Sequence, residues 1–85
     1  MKEVDTEATF HYWLRGAKKG ERVVYYDGFL MRDREQAIKS GFFVEQFPPR
    51  IKTAILAWKA YMNGEVVLTQ KKRGFGEYEY IATKA

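Results

Sequence analysis

Two hydrophobic periods run along this chain and mark out its elements. Phe10, Trp13 and Leu14 recur at i, i+3 and i+4, which is one face of a helix. That helix is expected over about residues 7–15. Asp5 or Thr6 can cap its start, Glu7 suits the positive end of its dipole, and Gly16 can end it. Arg22-Val23-Val24-Tyr25-Tyr26 is β-branched and aromatic and reads as a strand. Asp27-Gly28 is a turn pair. It leads either into a hairpin through Phe29-Leu30-Met31 or through a bend into a helix. Asp33 with Gln36 resembles a capping box, so a short helix over about 34–39, closed by Gly41, is the second option. Phe42-Phe43-Val44 and Phe47 read as core or connector residues.

The second half is more regular. Pro48-Pro49 marks a boundary, because proline fits a first helical turn and not a helix interior. Ile51, Ile55, Trp58 and Met62 then recur at helical spacing, with Ala54 and Tyr61 widening the face. This predicts a helix over 49–62 that buries the Ile51–Met62 stripe, stopped by Asn63-Gly64. Val66, Leu68, Tyr78 and Tyr80 alternate with polar or smaller residues. Strands over 65–71 and 77–83 therefore form a hairpin with a glycine-rich tip at Lys72-Arg73-Gly74-Phe75-Gly76. The order is helix, strand, short helix, helix, strand, strand. That is the α+β order of a winged helix, whose middle helices form a helix-turn-helix and whose last hairpin is the wing. The first strand is expected to cap the hairpin sheet.

Length and composition narrow the classes. The 85 residues fit one domain spanning 1–85. Fourteen aromatics in a 46% apolar chain bury enough area to fold without staples. They are also too many for so small a core, so some rings are expected at the surface for a partner. Cysteine is absent, which excludes disulfides, thiolate metal sites and cysteine nucleophiles, and fits a cytoplasmic protein. No apolar run nears the roughly 20 residues of a membrane span. The polar Met1-Lys2-Glu3-Val4-Asp5 start reads as neither a signal nor a transit peptide.

Charge changes the picture more than composition does. The net charge is +4. Residues 1–49 hold eight Lys/Arg and eight Asp/Glu, whereas residues 50–85 hold seven against three. The whole excess lies in the last helix and hairpin, and points to an anionic partner there. Lys71, Lys72 and Arg73 beside Gly74-Phe75-Gly76 put long cations on a projecting tip, as phosphate binding requires. On the helix, Arg50, Lys52, Thr53, Ala57, Lys59 and Ala60 are expected to face away from the core, the small residues among the cations letting the helix approach a groove.

Other chemistry finds little support. Arg73-Gly74-Phe75-Gly76-Glu77-Tyr78-Glu79-Tyr80 resembles an RNA-recognition signature, but Glu77 stands where a stacking aromatic is needed, and the element order differs. Base stacking on Phe75 in another fold stays open. Gly74-Phe75-Gly76 lies between strands, so no helix N-terminus awaits a phosphate. His11 is the sole histidine and reads as a boundary side chain. Glu77 and Glu79 read as a solvated row on one strand face. No catalytic residue, metal site or cofactor is expected.

Three runs carry a resemblance. They are Phe10-His11-Tyr12-Trp13-Leu14, Gly20-Glu21-Arg22-Val23-Val24-Tyr25 and the stretch from Ala57-Trp58-Lys59-Ala60-Tyr61 through Gly64-Glu65-Val66-Val67-Leu68-Thr69-Gln70-Lys71-Lys72, closed by Tyr78-Glu79-Tyr80-Ile81-Ala82. With these the chain resembles small bacteriophage and prophage winged-helix proteins over most of its length. Residues 30–48 depart from the short connector such proteins carry. The resemblance implies a winged-helix fold and a role in phage gene control in a host cytoplasm. The expected function is a non-enzymatic transcriptional regulator that binds double-stranded DNA through Arg50, Lys52, Thr53 and Lys59 on the helix and Lys71, Lys72, Arg73 and Phe75 on the wing. One module of this size makes few phosphate contacts, so a homodimer or partner is expected to complete specific binding. The alternative is a protein-interaction module that inhibits a host protein, RNA polymerase or a defence complex, through exposed aromatics.

Overall fold

A computed structural model describes residues 2–41 and 46–85. Among these residues the chain forms three helices and a four-stranded mixed sheet: β1 (Lys2–Glu3), α1 (Glu7–Gly16), β2 (Arg22–Gly28), α2 (Leu30–Lys39), α3 (Pro49–Met62), β3 (Val66–Gly74) and β4 (Glu77–Lys84). The sheet order is β1-β2-β4-β3. β1, which the sequence pattern did not predict, runs parallel to β2. The remaining pairs are antiparallel, so β2 joins the β3–β4 hairpin through β4 as expected, while β1 and not β2 forms that edge of the sheet. This is an α+β arrangement.

Local chemistry explains most boundaries. Thr6 caps α1, since its hydroxyl accepts from the Thr9 amide and Thr9 reciprocates to the Thr6 amide. Phe10 and Trp13 are buried on the predicted stripe. Gly64 takes a φ of +76° just past α3, the left-handed stop expected of Asn63-Gly64.

The turn after β2 resolves the open alternative. The chain bends at Gly28, whose φ of +127° only glycine adopts readily, and enters α2 at Leu30. No hairpin forms through Phe29-Leu30-Met31, and the helix starts four residues before the expected 34. Asp33 is consequently inside its first turn and caps nothing; Phe29 stands at the N-cap without a side-chain bond. The Asp33 carboxylate instead accepts the Tyr26 hydroxyl at 2.5 Å. Phe47 is buried in the core, whereas the expectation for Phe42-Phe43-Val44 lies outside the described residues.

α3 has the predicted length but a different buried face. It packs on β2, β3 and α1. Its buried residues are Ile51, Thr53, Ala54, Ala57 and Ala60. The expected stripe sinks only at its start: Ile51 is buried and Ile55 half-buried, while Trp58 is 55% and Met62 66% exposed. The reason is distance. Small side chains let the helix backbone approach the sheet, and rings of this size do not fit beneath it. Opposite α3, the register places Val23, Ala82 and Leu68 in one cross-strand row and Tyr26, Tyr80 and Gln70 in another. A bulge at Tyr25 between these rows lets consecutive residues of β2 both reach the core.

Candidate nucleic-acid interface

α3 divides into sides of different chemistry. Thr53, Ala57 and Ala60 face inward. Ile51, Ile55, Trp58 and Met62 follow one another along a second side. Lys52 and Lys59 are seven residues, about two turns, apart and share a third side. The helix carries no carboxylate, so nothing within it neutralises its cations. Among the described residues, neither lysine makes an ion pair.

Thr53 does not belong to this surface. Its side chain is fully buried, and its hydroxyl donates to the Pro49 carbonyl at 2.8 Å. The expectation that it contacts DNA is corrected by the rotation of the buried face. The same rotation turns Ala57 and Ala60 toward the core, so the small residues serve approach to the sheet and not to a groove.

Arg50 is exposed but engaged. Its guanidinium lies 4.6 Å from the centroid of the Tyr26 ring and donates to the Asp27 carbonyl. Tyr26 passes the tie onward to Asp33 on α2 through its hydroxyl. Burial raises the Tyr26 pKa, and the hydrogen bond to Asp33 and the charge of that carboxylate raise it further, against the lowering effect of Arg50. Gly28 is fitted into this junction. A Cβ there would lie 3.6 Å from an Asp33 carboxylate oxygen and 3.9 Å from the Arg50 guanidinium.

On the hairpin the three cations separate. Lys71 stands opposite Glu79, and Lys72 stands opposite Tyr78. Adjacent strand residues project to opposite faces, so the two lysines diverge. Arg73 bends back across the sheet, with Nη1 3.2 Å from Asp27 Oδ2 and 3.7 Å from Glu79 Oε2. Lys71 and Lys72 are exposed and make no ion pair among the described residues. Phe75 is fully exposed at the turn. Lys72 and Arg73 belong to the strand, so the turn is shorter than the expected tip. Glu79, expected to be solvated, is the second ion-pair partner of Arg73.

The eight candidate residues therefore divide into one buried, two held by neighbouring groups, one half-buried without an ion pair among the described residues, Lys52, and four exposed: Lys59, Lys71, Lys72 and Phe75. Asp27, the residue that engages both arginines, was not among them. The pair Asp27-Gly28 reads as turn punctuation, and only the sheet register brings Asp27 beside Glu79. Among the described residues no three His, Cys, Asp or Glu side chains gather where they could hold a metal ion, and no helix is long and apolar enough to cross a membrane. Compared with family models, curated proteins and solved structures, the chain matches none of them.

Proposed function

We propose that this chain is a small non-enzymatic regulator that binds double-stranded DNA through α3 and the β3–β4 hairpin, used as a winged helix uses its recognition helix and wing. The observation that carries this reading is the set of four lysines that make no ion pair among the described residues, Lys52, Lys59, Lys71 and Lys72. They lie in a stretch, residues 49–74, where six Lys/Arg face a single acid, Glu65. The element order and the β2-β4-β3 pairing support the same reading. Phe75 supplies an apolar ring at the end of the wing, able to stack or to wedge.

A salt titration of duplex binding tests it. Each lysine that displaces a counterion contributes about 0.9 to the slope of log affinity against log salt. Changing Lys52 and Lys59 together to Ala, and separately Lys71 and Lys72, should each flatten the slope by up to about 1.8. A slope unchanged by either pair would remove that element from the interface.

A second reading rests on a different observation. Trp58, Met62 and Ile38 are more than half exposed, an apolar surface of the kind that protein partners cover. A stoichiometric protein that survives nuclease in a pull-down and is lost with Trp58→Ala, together with no duplex binding at moderate salt, would favour that reading.

A further inference from the structure

We propose that Asp27 and Glu79 form a carboxylate restraint that holds the wing cation Arg73 back from DNA and sets the affinity of the wing below what its charge allows. This inference rests on the DNA-binding reading above and concerns the control of that same surface.

The geometry comes from the sheet register. Asp27 on β2 and Glu79 on β4 are directly opposed. Like charges at opposed positions repel. Lys71 is the third member of the row, yet among the described residues it makes no ion pair. Arg73, two residues on along β3, reaches both carboxylates with one nitrogen. The acid pair thus draws in the cation nearest the turn and leaves Lys71 open.

Recruiting Arg73 to a phosphate then costs more than moving a side chain. Its departure leaves two opposed carboxylates without a counterion, and places both near an incoming polyanion. The restraint also has a second arm. The Asp27 carbonyl accepts from Arg50 at the start of α3. One residue therefore engages the cation of the helix through its backbone and the cation of the wing through its side chain. Replacing the side chain with an amide acts on the wing alone, because the carbonyl remains.

The test uses Asp27→Asn, Glu79→Gln and the two together, with Glu77→Gln as the charge control. Glu77 lies on the same hairpin and makes no ion pair among the described residues, so its change alters net charge by as much as either single variant, and by half as much as the double, without releasing Arg73. The expected result for the double variant is duplex binding tighter by about two- to fivefold at low salt, the range of a released surface ion pair. Its salt slope steepens by about 0.9, one added phosphate contact. Adding Arg73→Ala to the double variant abolishes both gains. A gain from Glu77→Gln equal to that of either single variant, or a gain in the double variant that survives Arg73→Ala, would overturn the restraint.

NMR of the free protein supplies a reading that needs no DNA. The Arg73 Nε–H group should be ordered in the parent chain and in Glu77→Gln, and mobile in the double variant. Mobility in the parent chain would overturn the restraint directly. An ordered Arg73 with no duplex binding by any variant would instead overturn the DNA-binding reading, and with it the effect of the restraint on affinity.

Discussion

Helices α1 and α3 carry large apolar side chains at helical spacing, and the fold uses them in opposite ways. In α1, Phe10 and Trp13 point inward; Phe10 has no exposed surface, and the two rings meet at 5.7 Å. In α3, Trp58 and Tyr61 also meet, at 5.3 Å, but both are exposed. What separates them is the surface each helix faces. α3 lies against β2, β3 and α1, and its interior side is built from Thr53, Ala54, Ala57 and Ala60 beside the single large residue Ile51. Ring volume is accommodated under α1 and excluded under most of α3. Spacing reports that apolar residues share a face; the room beneath the helix decides whether that face is the buried one.

The largest expected effect breaks this comparison at its sharpest point. Phe10→Ala should cost about 3–5 kcal/mol, because it removes a fully buried ring and leaves a cavity. Trp58→Ala removes a larger ring from an exposed site and should cost about 1 kcal/mol or less. Urea unfolding of both variants measures the difference. Equal losses would mean that Trp58 is part of the core after all.

The next effect tests the close approach itself. Ala57 has no exposed surface and sits in the core with Val23 and Ala82. Ala57→Leu adds three carbons where helix and sheet need a small residue, and should destabilise by about 1–3 kcal/mol. A stability equal to the parent, measured by the same urea unfolding, would show spare room under α3 and undo the explanation for its exposed rings.

These two helices also mark how far the sequence could be read. The α1 stripe was legible because the largest side chains fall on the buried side, and its cap was narrowed to Asp5 or Thr6, of which the fold uses Thr6. The extent of α3 was legible from Pro48-Pro49 and Asn63-Gly64. Its orientation was not, because alanine contributes little to an apolar pattern and yet determines how near a helix can come. The same divide runs through the candidate interface. The cationic residues of α3 and the wing were visible as charges. The engagement of Arg50 and Arg73 was not, because both meet Asp27 across sequence separations of 23 and 46 residues. Those contacts depend on the bend at Gly28 and on the register of β2 with β4. A two-residue turn signal leaves both undetermined.

The last expected effect concerns the strand beneath α3 and appears only at high pH. Tyr25 on β2 joins the same core cluster as Ala54 and Ala57. Burial there pushes its phenol from 10.0 up to about 12, with a smaller upward contribution from Tyr80. The raised value means that the folded chain keeps a proton the unfolded chain releases more readily. The resulting stability is full below about pH 10 and is lost as pH rises through about 12. Lysines titrate in the same range, so the loss in the parent chain alone does not identify its source. Tyr25→Phe isolates it by keeping the ring and removing the ionisable group. The variant should follow the parent up to about pH 9 and then lose stability less steeply toward pH 12. Urea midpoints taken across that interval give the comparison. Parallel curves would show that Tyr25 ionises freely in the folded chain, and that the strand under α3 is wetter than its packing requires.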